Sequence, residues 1–273
     1  MPELPEVETV RKTLTQMILG KTIDHVEVYY LPMISPHSLE SFKNKLHHAT
    51  LDAIDRIGKY LIFRFDTINL MVHLRMEGKF FLKPSDAPRT NHEHIIYHFT
   101  DGTSLRYDDV RKFGTHGLKH DKELHTTLPI SKLGYEPSDS RLTKHVLKEK
   151  LKTDRAIKTA LLDQTVILGL GNIYVDEVLF CAKINPTRKA RRTSLAKCET
   201  LIECSRQVID KAITLGGSSI RSYTDSLGVT GRFQNELKVH LKADELCELC
   251  QTPIRKIKVN GRGTYYCPTC QKR

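Results

Sequence analysis

The chain has 273 residues, 39% of them hydrophobic, with 43 Lys/Arg against 32 Asp/Glu and a formal net charge of +11. That length supports roughly two domains and a packed core without disulfides, and no run of about 18 apolar residues is present to span a membrane. The opening MPELPEVETV is acidic and lacks the apolar core of an export signal, which places the chain in the cytoplasm, with its seven cysteines reduced and used as ligands or core residues.

Residues 2–20 read as a helix. Pro2 suits a first turn, Val7, Val10, Leu14, Met17 and Ile18 recur at helical spacing, and Gly20 is a stop. From 22 to 120 the chain is β-rich: VEVYY, KYLIFRF, LMVHL, KFFLK and HIIYHF alternate with turn formers, and Asp101-Gly102 marks a hairpin. This spacing predicts a sandwich or barrel. Turn formers dominate 126–140, where a domain boundary is expected. Beyond it an apolar stripe from Leu195 through Leu201, Ile202 and Ile209 to Ile213 predicts a helix, capped near Thr193 or Ser194 and ended by Gly216-Gly217. Cys181, Cys198 and Cys204 are read as buried core thiols. The division is 2–130, 131–234 and 235–273.

The last segment is basic, with nine Lys/Arg against four Asp/Glu over 231–273. A net excess of cations is the footprint of a polyanion partner, although many soluble proteins share it. Cys247-x-x-Cys250 and Cys267-x-x-Cys270 lie 16 residues apart, the spacing of a two-knuckle tetrahedral zinc site. Four cysteines leave no open coordination position, so the zinc is structural and supplies the stability a segment this small lacks. Between the knuckles, Asn260-Gly261 predicts a hairpin turn that presents Arg262 between two glycines. Arg262 suits a phosphate fork, or is simply a solvated turn residue.

A small second residue favours removal of Met1, leaving Pro2 as a secondary α-amine at a helix start. Such an amine has a pKa of about 7.7–8 and can attack an electrophilic carbon to form an iminium. Glu3 adjoins it and Glu6 lies one turn on, where a carboxyl can shuttle protons. Acids in a first helical turn are also ordinary dipole and capping residues, and physics alone favours that reading.

The whole opening string MPELPEVETVRKTL resembles the signature of the bacterial formamidopyrimidine-DNA glycosylases, which excise oxidised purines such as 8-oxoguanine. IGKYLIF, HLRMEGKF, DDVRKFG, LLDQTVILGLGNIYVDEVLF, LGGSSIRSY and GRGTYYCPTC resemble further blocks of that family, in order, over nearly the whole chain. The resemblance implies an α+β multidomain fold: an N-terminal helix with a β-sandwich, a helix–two-turn–helix domain, and a C-terminal zinc-finger hairpin. It implies a bifunctional glycosylase and abasic-site lyase acting as a monomer on duplex DNA. Pro2 attacks C1′ to form a Schiff base that undergoes β- and δ-elimination. Glu3 is implied as acid/base and Glu6 as its support, Lys59 as a phosphate-binding and catalytic-support lysine, and Glu177 as a support residue near the site. The target base must be flipped out of the stack. Met76, Arg111 and Phe113 match the residues that fill the gap, although an isolated Met and Phe read better as core. Asn172 and Arg262 match phosphate ligands, and His73 and Lys158 match further DNA-contacting positions. The run 217–234 matches the loop that closes over the flipped purine.

The chain departs from the family at His240-Leu241, where Tyr-Gly is common, and at Tyr135, where Pro is common. A sister enzyme of the endonuclease VIII type, acting on oxidised pyrimidines, would share the nucleophile but typically opens PEGPE. A non-catalytic zinc-finger DNA binder would explain charge and cysteines but not PELPEVE.

Overall fold

The computed structural model describes residues 1–66, 68–218 and 231–272. Residues 219–230, most of the expected purine-closing loop, lie outside them. The chain divides into Met1–Ser131 with Gly216–Gly231, and Lys132–Leu215 with Arg232–Arg273. Sequence reading places 217–234 with the helical segment; here Gly216–Gly231 groups with the N-terminal unit.

In the first unit, helix α1 (Leu4–Ile18) forms because its apolar residues fall on one face. Val7, Val10, Leu14 and Ile18 are all buried, each contributing about 1.5–3 kcal/mol by leaving water. The unit's described residues form eight strands, β1 (Ile23–Val28), β2 (Leu51–Ile57), β3 (Tyr60–Phe65), β4 (Asn69–His73), β5 (Lys79–Pro84), β6 (Glu93–Phe99), β7 (Thr103–Asp108) and β8 (Thr115–Lys119). They make two antiparallel four-stranded sheets, ordered β1-β6-β7-β5 and β2-β3-β4-β8. The described residues of the unit also include the short helices α2 (Leu39–Leu46) and α3 (Asp121–Leu124). The apolar faces of both sheets and of α1 share one core, in which Phe63, Phe80 and Tyr107 stack edge to face.

His116 is sealed in this core, its Nδ1 2.7 Å from the Tyr97 hydroxyl. Burial pushes its pKa down to about 3. His73, at the end of β4, is also pushed to about 3, by burial first and then by the charges of Arg75 and Lys59. The unfolded chain binds a proton at each as pH falls through about 6.5, whereas the folded unit refuses it. Stability is therefore full above that pH and is lost on acidification, by about 1.4 kcal/mol per pH unit for each histidine. Thermal melts from about pH 7.5 to about pH 5 will show a falling midpoint; a flat profile would contradict the burial of neutral imidazoles.

The second unit holds α4 (Lys144–Lys150), α5 (Ile157–Leu161), α6 (Asn172–Cys181), α7 (Leu195–Thr214) and the hairpin β9 (Arg255–Val259)–β10 (Arg262–Tyr266). Ser194 caps α7, its Oγ accepting from the Lys197 amide, and Cys198, Leu201, Ile202, Ile209 and Ala212 form the buried stripe. One expectation is corrected. Cys181 and Cys204 are not separate core thiols but a disulfide between α6 and α7, with Cα atoms 5.8 Å apart; Cys181 is only half-buried. Helix packing brings together two cysteines whose separation in sequence signals nothing. Among the described residues no helix is long and apolar enough to cross a membrane.

Candidate active site and nucleic-acid interface

At the head of α1, Pro2, Glu3 and Glu6 are buried. The Glu3 amide donates to Glu6 Oε2 at 2.8 Å, which fixes the first turn. The other oxygen of Glu6 accepts from the amide of Ser218 at 2.7 Å and from its hydroxyl at 3.3 Å. Glu6 thus joins the residue beside Pro2 to the segment entering 219–230. Met1 is exposed; while it is attached, the Pro2 nitrogen is an amide.

Lys59 sits in the β2–β3 turn and is buried. That turn is tied to α1 through Arg56, which donates to the Gly58 carbonyl at 3.0 Å and to Glu8 Oε2 at 3.0 Å. Burial raises the Glu8 carboxyl, but hydrogen bonds from Arg11 and Arg56 outweigh it and hold its pKa below the ordinary value. His73 pairs with Tyr60 across β3 and β4, and its Nδ1 accepts from the Arg75 amide at 2.9 Å. It is therefore a neutral imidazole with its other nitrogen left as donor.

Met76 and Phe113 are large apolar side chains that the fold leaves exposed, unlike the core reading of an isolated Met and Phe. Met76 lies on the β4–β5 turn, and Arg111 and Phe113 on the β7–β8 connection, where the Arg111 guanidinium lies 4.9 Å from the Phe113 ring centre. Two features hold these loops. The buried Asp109 carboxylate accepts from the amides of Arg111, Phe113 and Gly114 at 2.8–3.0 Å. Tyr107 brings its hydroxyl so close to both backbones that a Cβ would lie 2.0 Å from it at Gly78 and 1.8 Å at Gly114. Only glycine fits at either place. Sequence reading missed Asp109 and Tyr107; an Asp followed by a run of turn amides was the available signal.

In the second unit, the tight turn before α6 is organised by Gln164, which accepts from the Gly169 amide and donates to the carbonyls of Leu162 and Leu170. Asn172 opens α6 and donates through Nδ2 to the Gly263 carbonyl at 3.1 Å; its Oδ1 is buried without a hydrogen-bond partner among the described residues. Lys158 was expected at a DNA-contacting position. The structure buries it completely, its ammonium held by Asp176 Oδ1 at 2.7 Å and the Gly263 carbonyl at 2.9 Å. It thereby ties α5 to the finger hairpin. Asp176 also binds His240 Nδ1 at 2.9 Å and the Tyr265 amide at 3.3 Å. Glu177 is likewise committed: it accepts from the amides of Lys238, Val239 and His240. Burial pushes its carboxyl up, and those three amides oppose the shift. Leu241, at the first departure from the family, has φ +64°, a backbone region that favours glycine.

Removing Asp176 would leave the Lys158 ammonium buried without its carboxylate. Asp176→Ala is expected to cost about 3–5 kcal/mol, read as a lowered denaturation midpoint. A loss under about 1 kcal/mol would mean that Lys158 finds water or another partner.

The four thiols of Cys247, Cys250, Cys267 and Cys270 lie within 4.8 Å of one another, with Sγ–Sγ distances of 3.9 Å (Cys247–Cys270) and 3.4 Å (Cys250–Cys267). Ligands at about 2.3 Å from a tetrahedral zinc stand about 3.8 Å apart, so the set fits. Gln271 docks the second knuckle, accepting from the Cys267 amide and donating to the Ile184 carbonyl. At the hairpin tip Asn260 and Gly261 both take positive φ, 48° and 75°, and Arg262 is exposed.

Three family models match the chain: formamidopyrimidine-DNA glycosylase N-terminal domain over 1–116, formamidopyrimidine-DNA glycosylase H2TH domain over 133–224, and zinc finger found in FPG and IleRS over 244–273. The formamidopyrimidine-DNA glycosylases of Bacillus licheniformis and Bacillus subtilis are each 48% identical, with full coverage of both chains. A Lactococcus lactis FPG mutant in complex with Fapy-dG-containing DNA superposes with a TM-score of 0.93 at 44% identity, covering both chains fully. The L. lactis Fpg bound to DNA containing an abasic site gives 0.92 at 45% identity, covering 99% of this chain and 100% of that one.

Proposed function

Because the chain belongs to the formamidopyrimidine-DNA glycosylase family, we propose that it excises oxidised purines, formamidopyrimidines and 8-oxoguanine, from duplex DNA with Pro2 as nucleophile. It is a bifunctional glycosylase and abasic-site lyase with one structural zinc on Cys247, Cys250, Cys267 and Cys270. The full-length match to enzymes of this name, two of whose solved relatives hold Fapy-dG and abasic DNA, carries the reading.

Once Met1 is removed, the Pro2 amine attacks C1′ as the damaged base leaves with a proton. The ring-opened sugar is then an iminium on the enzyme. Loss of a C2′ proton expels the 3′ phosphate, and a second elimination expels the 5′ phosphate. Glu3 is the group placed to carry protons, beside the amine and on a turn that Glu6 holds rigid. Lys59 bears a cation for the phosphate, on a turn fixed to α1. Met76, Arg111 and Phe113 fill the gap left by the flipped nucleotide, and His73, neutral, donates one hydrogen bond. In the second unit Asn172 and Arg262 hold phosphates, and Lys158 and Glu177 position the hairpin and the 238–240 segment. The functional parts are 2–130, the helical 131–234 with the closing loop, and the finger 235–273, acting as a monomer in the cytoplasm.

Duplexes bearing Fapy-dG or thymine glycol opposite their normal partners test the substrate class. Release of the purine, with strand ends phosphorylated on both sides, is the expected result. Preferential release of thymine glycol would assign the chain to the endonuclease VIII type, and binding without release would leave only a zinc-finger DNA binder.

A further inference from the structure

The outer face of the first sheet carries a cluster that the glycosylase chemistry does not use. On β1, Asp24 is an extra residue: Ile23 pairs with Phe99 and His25 with His98, so the strand bulges at Asp24. The bulge sets His25 directly opposite His98 of β6. Glu27, two residues along, shares the face of His25, while Val26 between them points into the core. The two imidazoles stack nearly parallel, ring centres 4.2 Å apart and planes 8° apart.

We infer that His25, Glu27 and His98 form a second metal site, for a borderline divalent ion such as Ni²⁺ or Zn²⁺. One donor atom from each of the three lies within 4.8 Å of the others. His98 Nε2 is buried and makes no hydrogen bond among the described residues. Its closest acid is Glu27 Oε2 at 3.7 Å, too far for a hydrogen bond. Two ligands at about 2.1 Å from a tetrahedral ion stand about 3.4 Å apart, so that gap is close to the width an ion would bridge. A nitrogen sealed from water and unpaired is costly, and coordination removes the cost.

The surrounding groups prepare the ligands. Asp24 holds His25 Nδ1 at 2.7 Å, the carboxylate–imidazole arrangement that orients a ligating histidine and leaves Nε2 for the ion. The Tyr29 hydroxyl donates to Glu27 Oε2 at 2.6 Å, which fixes that carboxylate. Two imidazoles and one carboxylate suit zinc, nickel or copper rather than magnesium or calcium. The ion would bind the edge strand β1 to β6, and its remaining positions would face water.

The test uses the full chain with zinc already on its four cysteines, dialysed against Ni²⁺ and assayed for metal content and thermal midpoint. The inference expects one equivalent of nickel per chain and a raised midpoint. His25→Ala and Glu27→Gln, both at partly exposed positions that leave the fold intact, should each weaken nickel binding at least tenfold and abolish the midpoint shift. The nearby His47 and His48 supply the control, since His47 Nδ1 contacts the Asp24 carbonyl. Loss of nickel in a His47→Ala, His48→Ala chain but not in His25→Ala, or no nickel uptake by the parent chain, would overturn the assignment.

Discussion

Borohydride will trap the processed chain on duplex DNA bearing an oxidised purine, and will not trap a chain that retains Met1. With Met1 attached, the Pro2 nitrogen is an amide, its lone pair delocalised into the carbonyl and useless as a nucleophile. Removal of an exposed residue creates a secondary amine whose pKa, about 8, leaves a usable free fraction near neutrality. Pro2→Gly keeps an amine but loses the ring that fixes its direction at the head of α1; base release should fall by about a hundredfold or more. Glu3→Gln separates the two activities. Base departure needs a proton and should slow by roughly a hundredfold, whereas trapping on a preformed abasic site, where no base must leave, should suffer less. An adduct formed at equal rate by the Met1-retaining chain would place the nucleophile elsewhere, Lys59 being the next amine to test.

Stripping zinc from the four cysteines should lower duplex affinity by at least about a hundredfold, near 2.7 kcal/mol, while the N-terminal sandwich stays folded. The finger's own core is small: Val239, Ile254 and Tyr265, with Phe180 and the cysteines themselves. Structural zinc contributes about 10–16 kcal/mol in such units, far more than that cluster can replace. Without it the hairpin that presents Arg262 loses its frame, and Lys158 and Asn172 lose the Gly263 carbonyl on which both converge. Anisotropy with a labelled abasic-analogue duplex at fixed salt measures the first effect, and far-ultraviolet circular dichroism the second. Unchanged affinity in fully metal-free protein, or collapse of the strand signal, would contradict the expectation.

What the sequence revealed of all this follows from how local each signal is. The α1 stripe, the Ser194 cap, the Asn260-Gly261 turn and the cysteine knuckles are encoded within a few residues, and each stands where periodicity or spacing put it. β8 was not read as a strand: THGLK is short, polar and glycine-bearing, and takes its conformation from pairing with β4. The Cys181–Cys204 bridge and the burial of Lys158 depend on packing of α6 against α7 and against the finger. The pairing of Lys158 with Asp176, 18 residues away, has no local signal. Asp176, Asp109 and Tyr107 escaped for the same reason, since each organises residues distant in sequence or spends its polar group on backbone. The residues proposed for the reaction came through resemblance; Pro2 and Glu3 alone read as an ordinary helix start.

The Tyr107 hydroxyl, pressed between the backbones at Gly78 and Gly114, has a mechanical meaning. The turn bearing Met76 and the connection bearing Arg111 and Phe113 rest on one pin, so neither can relax without displacing the other. The three tips behave as a single tool whose shape is set when the protein folds, not when it meets DNA. The entropy of arranging them is spent beforehand, so in the role proposed for them the three would enter a duplex as a preorganised set.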